Sequence, residues 1–271
     1  MANANALVYG HYSDNVAPNA TITIQSGTLA SGYTAEAIAD NNPAKPSILT
    51  GTTGAWQFAF AAAQRVDAVF LPMHNLNAGL EVRIQGHASA AWGAPSFNQA
   101  ITIPTYREDA FPVGSWLDLT DKAGYLVGGY QYWRLVVVGV NSAPVAIGEF
   151  GLVRVKRVMD PNISWGVMEG EERKIVEHQT DYGVSTIYDL GVTKRRLTGD
   201  VDATDTMKAA LRSWWRDARG RSNPFYIAPD GTVNDGLMVR FADTKLDVQL
   251  QQIDRNSINL GFEEVSRGLY L

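Results

Sequence analysis

Cysteine is absent from all 271 residues. Its absence excludes disulfides, thiolate nucleophiles and Cys-ligated zinc, and suits assembly in a reducing cytosol. No apolar run approaches the roughly 20 residues that a helical membrane span requires, so no membrane span is expected. A basic excess is missing too. With 23 Lys and Arg against 28 Asp and Glu, the net charge is -5, which gives no broad attraction to phosphate backbones or anionic membranes. No specific nucleic-acid partner is therefore expected. The opening Met1-Ala-Asn-Ala-Asn-Ala-Leu7 has neither a basic nor an apolar leader segment, and no secretory signal is expected.

Catalytic signatures are lacking as well. The sequence contains no phosphate-binding Gly-x-x-x-x-Gly-Lys string, no Gly-x-Gly-x-x-Gly opening a helix, no His-Glu-x-x-His and no Gly-x-Ser-x-Gly. Its four histidines, His11, His74, His87 and His178, have no metal-ligand spacing. His74 is read as a turn residue and His178 as a solvated strand position. The acid pairs Glu171-Glu172 and Glu263-Glu264 fall in extended patterns, where neighbours point to opposite faces, so neither pair can share a substrate. Asp118 and Glu149 are the acids to check for burial, because both lie in otherwise apolar strands. The chain is expected not to be an enzyme.

What is present is apolar residue in quantity, 45% of the chain, enough for two cores. Charge divides it. Residues 1–158 carry 9 basic and 10 acidic side chains, and residues 159–271 carry 14 and 18. That shift places a boundary near Met159-Asp160-Pro161-Asn162, where Asp-Pro breaks regular structure. Two domains are expected, 1–158 and 159–271.

The first half reads as short strands separated by Gly, Pro, Asn and Ser. Thr21 to Ile24, Trp56 to Phe60 and Leu80 to Gln85 alternate with period two, whereas Val66 to Leu71 is nearly all apolar, as in a strand covered on both faces. Ile101 to Ile103, Trp116 to Leu119, Trp133 to Val138 and Val145 to Val155 follow. This pattern predicts a sandwich or barrel. Ala35-Glu-Ala-Ile-Ala-Asp40-Asn-Asn-Pro43 precedes the Trp56 strand, and the half closes on Tyr132 to Val137 and Ala146 to Leu152. Over about 20–156 this order resembles the discoidin-like (galactose-binding-like) jelly roll, without the cysteines common in its secreted members. The resemblance implies ligand-carrying loops at one end of the sandwich. Trp92 and Phe97, in the loop 88–98, are the first choices as exposed contact residues, with Tyr106 and Phe111 next. The bland alternative is that they plug the sandwich end or a seam between subunits. Relatives that hold a structural calcium ion do so near the turn occupied here by Asp40, although Asx residues before proline also turn without metal. No other cofactor is implied.

The second half changes character. Arg173 to His178 and Ser185 to Leu190 form a hairpin pattern, continued by Lys194 to Asp200. One helix is predicted near 204–219. Asp202 or Thr204 caps it, Met207, Ala210, Leu211, Trp214, Trp215 and Ala218 form one apolar stripe, and Gly220 ends it. Met207, Leu211, Trp214 and Trp215 imply a large surface to bury, on a sheet or on a neighbouring subunit. The basic run Lys194-Arg195-Arg196 is read as a strand end or an inter-subunit salt-bridge site. Strands Phe225 to Ile227, Leu237 to Phe241, Leu246 to Leu250 and Asn256 to Val265 complete the half. Leu197-Thr-Gly199, the Trp214-Trp215 helix, Phe225-Tyr-Ile227 and Phe262-Glu-Glu-Val265 together resemble the split-barrel unit of siphophage tail-tube and distal tail proteins, over about 163–266. In distal tail proteins the sandwich commonly follows the tube-like unit; here it precedes it.

The expected fold is thus mainly β: an N-terminal jelly-roll sandwich followed by a tail-tube-like split barrel with one helix. The resemblance implies a structural component of a phage tail tip or baseplate, assembled in the host cytoplasm and resident in the virion. Its partners would be sister copies in a threefold or sixfold ring, neighbouring tube and hub proteins, and a host surface glycan. The alternative is a soluble carbohydrate-binding module with no assembly role.

Overall fold

The computed structural model describes residues 7–42, 44–104, 114–159, 168–179, 185–229, 235–243, 245–252 and 255–265. Alternation builds the first layer. A five-stranded antiparallel sheet runs β2 (Thr21–Ser26), β4 (Gly54–Gln64), β9 (Tyr130–Val137), β6 (Val82–His87) and β7 (Phe97–Ile101), in that order. Trp56, Phe58, Trp133, Leu135, Val82 and Ile84 point inward and are buried. They meet a second antiparallel sheet of order β3 (Ser47–Ile48), β10 (Ala146–Val153), β5 (Ala68–His74) and β8 (Ser115–Asp118). Phe58 and Phe150 touch across the interface, with centroids 5.4 Å apart, and one continuous core fills the sandwich.

Every residue of β5 and β10 is buried, because these strands are covered twice. Their outer face, together with Trp116 of β8, packs on a third sheet through Ala68, Phe70 and Val153 against Val8, Tyr226, Ala228 and Met238. That third sheet has eight strands. Its path is β11 (Arg157–Val158), β1 (Val8–Gly10), β14 (Phe225–Ala228), β15 (Leu237–Phe241), β17 (Arg255–Glu264), β13 (Ser185–Ala203) and β12 (Met168–Gln179), with β16 (Val248–Gln252) pairing on β17. The N-terminal strand thus pairs with Phe225–Ala228, not with the sandwich that follows it in sequence. Expected to close as a split barrel, the sheet stays open: no pairing joins its ends β11 and β12 among the described residues.

The helix α1 spans Asp205–Asp217, and Thr204 caps it by accepting the Met207 N–H at 3.3 Å. Gly220, at φ +61°, ends the turn by donating its N–H to the Trp215 carbonyl. Trp214 is fully buried in its own chain, stacked on Tyr9 at 4.0 Å and ringed by Phe225, Phe241 and Phe262. Leu211 joins the same core, and the half-buried Met207 and Trp215 pack at its margin. Of the two surfaces expected for this stripe, a sheet or a neighbouring subunit, it is the sheet, with the N-terminal strand, that covers Leu211 and Trp214 within one protomer. Arg195, in the short basic run, is likewise buried and pairs with Asp235 at 2.7 Å.

One part of the third sheet projects. β13 pairs with β17 only from Arg196 to Ala203, whereas its pairing with β12 continues out to Ser185 and Gln179. The Glu264 carboxylate accepts the Arg195 N–H at 3.1 Å and ends the β17 ladder. Beyond it, among the described residues, β12 and β13 pair only with each other as a two-stranded ribbon; its ten residues from Ser185 to Lys194 reach roughly 30 Å at strand rise.

Candidate functional site

The outer face of the five-stranded sheet carries a polar row in register. Thr23, Gln57, Arg134, Gln85 and Asn98 sit opposite one another on five successive strands. Each of the central three is the outward residue between apolar inward ones, as in Trp56-Gln57-Phe58. Arg134 lies at the middle. Its Nε donates to Gln85 Oε1 at 2.8 Å, its Nη2 reaches the same oxygen, and its Nη1 donates to Gln25 Oε1. Gln85 is held from the other side by donating to Asn98 Oδ1 at 3.2 Å.

Over this row lies Trp92. The turn between β6 and β7 is rich in Ala, Ser and Gly, and it folds back across its own sheet. Trp92 Nε1 donates to Gln57 Oε1 at 2.8 Å, and the Arg134 guanidinium sits 4.4 Å from the indole centroid. Such a cation–π contact contributes about 0.5–2 kcal/mol, depending on desolvation. The half-buried indole is thus pinned at its nitrogen and at one face. His87 flanks it, ring centroids 6.3 Å apart. The Ser96 N–H approaches His87 Nδ1 at 3.3 Å, and the Ser96 hydroxyl lies 2.8 Å from the same nitrogen. The result is a flat aromatic surface rimmed by amides, a guanidinium and an imidazole. Aromatic area with a few fixed polar groups suits a ligand that presents both C–H faces and hydroxyls.

The other expected contact residues fall elsewhere. Phe97 begins β7 and is buried, packed against Tyr130 and Trp133 at 6.3 and 5.7 Å, so its assignment as an exposed contact is corrected: β7 begins at Phe97, inside the expected loop 88–98, and turns the ring inward. Tyr106 and Phe111 lie outside the described residues. Arg134, Gln57, Gln85 and Gln25 were not singled out from sequence. The available signal was a long polar side chain at the outward position of each central strand.

Asp40 makes an Asx turn, its Oδ1 accepting the Asn42 N–H at 2.8 Å, with Asn41 at φ +59°. Burial raises the Asp40 carboxyl, against the Asn42 N–H and Lys45. Near it lies Glu149, fully buried. Burial pushes the Glu149 carboxyl well above the ordinary range, and the Asp40 charge adds to that; the Tyr226 O–H and the Asn41 and Asn42 N–H groups act the other way. Those N–H groups face Glu149, yet its Oε2 makes no hydrogen bond of normal geometry. Calcium takes six to eight oxygens. Among the described residues no three His, Cys, Asp or Glu gather in one place. His74, expected in a turn, is buried at the end of β5, where Nδ1 accepts the Leu76 N–H at 3.1 Å. Asp118 is opposed to Glu149 in sign. Burial raises it, but Lys156 and Thr120 outweigh that and hold it below the ordinary range.

No family model matches the sequence, and no curated protein matches it. Solved structures similar to it cover the sandwich half. The lectin domain of lectinolysin, complexed with Lewis B antigen, is 14% identical over 53% of this chain and 98% of that one, with a TM-score of 0.40. Chitosan-binding module 1 of a chitosanase/glucanase from Paenibacillus sp. IK-5 is 18% identical over 51% and 96%, with a TM-score of 0.38. The family 32 carbohydrate-binding module of C. perfringens NanJ, in complex with galactose, is 9% identical over 56% and 99%, with a TM-score of 0.37. Identities this low concern fold alone, and the sandwich is defined by its own strand order. No helix among the described residues is long and apolar enough to cross a membrane.

Proposed function

We propose that this protein is a non-catalytic structural component of a phage tail tip or baseplate, joined to sister copies through its eight-stranded sheet and presenting the Trp92 platform to a host surface saccharide. The observation that carries this reading is the ribbon formed by β12 and β13 beyond Arg195. An isolated two-stranded hairpin is marginal in water, and a long one exposes unpaired backbone groups along both edges. Pairing with another copy satisfies both, and identical head-to-tail contacts close into a ring, threefold or sixfold. Tube and hub proteins would then stack on the ring. The non-catalytic part is supported by the fate of the two acids in apolar strands. Glu149 is engaged by Tyr226, and Asp118 by Lys156 and Thr120.

Native mass spectrometry over a concentration series tests the assembly. The full chain is expected to give discrete ring-sized species, and a variant shortened by the ribbon between Arg173 and Thr193 only protomers. A monodisperse protomer at every concentration, with saccharide binding retained, favours instead a soluble carbohydrate-binding module.

A further inference from the structure

Arg134 has no carboxylate partner among the described residues, in contrast to three other arginines of the sandwich half. Arg65 pairs with Asp67 at 2.7 Å, Arg83 with Glu81 at 2.7 Å, and Arg157 with the buried Asp14. Around Arg134 the acceptors are neutral amides: Gln85 takes two of its donors and Gln25 one. The amides satisfy direction without neutralising charge. A guanidinium has five N–H donors and stays protonated, so two donors remain once these three bonds are made. The group is half-buried, and burial alone lowers its pKa, with no carboxylate acting in the other direction. The indole of Trp92 supplies an electron-rich face near it, at 4.4 Å. The immediate surroundings repeat the pattern, because Arg83 is cancelled by Glu81. Among the described residues, one net positive charge therefore sits on the sheet face of a chain whose total is -5.

We infer that the Trp92 platform selects saccharides carrying a single carboxylate, such as a uronic or sialic acid residue, with Arg134 binding the carboxylate while the indole supports the sugar ring. The inference rests on the platform reading above and adds the ligand class. A planar carboxylate matches a guanidinium edge through parallel N–H···O bonds that a hydroxyl does not reproduce. The charge balance also limits the ligand: a single cation on an acidic protein neutralises one anion, and a polyanion meets net repulsion. Gln57, Gln85 and Asn98 line the same row and are suited to sugar hydroxyls. Gln85 also fixes the guanidinium, so Arg134 reaches the ligand pre-positioned.

The test is calorimetric titration of the full chain with an oligosaccharide carrying one uronic acid residue, its methyl ester and the analogue with a neutral hexose at that position. The ester keeps the shape and removes the charge, so the comparison needs no variant and no refolding control. The free acid is expected to bind roughly tenfold more tightly than the ester, as a charge-assisted hydrogen bond implies, and the gap should narrow with added salt. Arg134→Gln is expected to close the gap between acid and ester, and Trp92→Ala to abolish binding of all three. Equal binding of acid, ester and hexose, lost in Trp92→Ala, overturns the carboxylate inference and leaves the platform standing. A sulfated analogue that binds more tightly than the uronate overturns the carboxylate assignment. No binding of any sugar overturns the platform itself, and the inference with it.

Discussion

The Tyr226 hydroxyl donates to Glu149 Oε1 at 3.1 Å, across the seam between the third sheet and the sandwich. Asn15 completes the joint. Its Nδ2 approaches the same phenol oxygen at 3.4 Å, while its Oδ1 accepts the Leu152 and Ala17 N–H groups, each at 3.2 Å. A residue from near each end of the chain and one from the sandwich thus share a single buried polar cluster. Buried polar groups that are mutually bonded fix one arrangement, and losing one member exposes the cost of desolvating the others.

Stability should therefore depend on the Glu149 proton. The folded chain raises this carboxyl well above its ordinary value, chiefly by burial. The folded state then binds the proton more tightly than the unfolded state. Its stabilising contribution is complete below the ordinary glutamate range, about 4.3, and is lost as pH rises through the raised folded value. Glu149→Gln keeps an acceptor for Tyr226 and removes the titration. Plotted as wild type minus variant, the thermal midpoint is expected to decline with rising pH over that window, and a difference independent of pH would show that the proton is not held.

Gly151 makes the seam possible. A Cβ placed there would lie 2.5 Å from the Tyr226 ring, so Gly151→Ala is expected to cost roughly 1–3 kcal/mol, as overpacking does. Paired with Tyr226→Ala, the two costs should sum to more than the double variant shows, because the clash then has no second party. Urea unfolding of the four proteins gives the coupling; simple additivity would mean that the ring and the glycine do not meet.

Trp214→Ala should remove the centre of the second core. The ring contacts Tyr9, Phe225, Phe241 and Phe262, and such truncations cost about 3–5 kcal/mol. Trp215→Ala, at a half-buried position on the margin, should cost clearly less. Guanidinium denaturation ranks the two, and the reverse order would contradict the packing described for the helix.

Trp92→Ala should leave the fold intact. Its partners Gln57 and Arg134 both remain on strands whose inward neighbours are buried, so the loss is expected to stay near the 0.5–2 kcal/mol of a cation–π contact. A collapse of the midpoint in thermal unfolding would make Trp92 a structural plug and remove it as a contact residue.

Much of the fold was legible because periodicity is local. The period-two runs at Thr21 to Ile24, Trp56 to Phe60 and Leu80 to Gln85 each became a strand, and the unbroken run at Val66 to Leu71 became one covered on both faces. The helix emerged with Thr204 as its cap and Gly220 as its end. What escaped depends on pairing between distant residues. Val8 finds Ala228 and Trp214 finds Tyr9, separations that no local pattern encodes, and so the helix stripe was open to a reading as a subunit contact. The site was half legible for the same reason. Trp92 stood out as an aromatic outside any strand pattern, but Gln57, Arg134 and Gln85 form a row only once register aligns three strands. Phe97 was misplaced because β7 begins inside the expected loop 88–98.

Hydrogen exchange along the ribbon tests the central claim most directly. Amides of Ile175 to Gln179 and Ser185 to Thr193 are to be followed in dilute and in concentrated protein, with the amides of β17 as the internal reference. Self-assembly through the ribbon predicts fast exchange when dilute and protection that rises with concentration, while β17 stays protected throughout. Ribbon amides that exchange equally fast at every concentration, or in the intact tail particle, would contradict it.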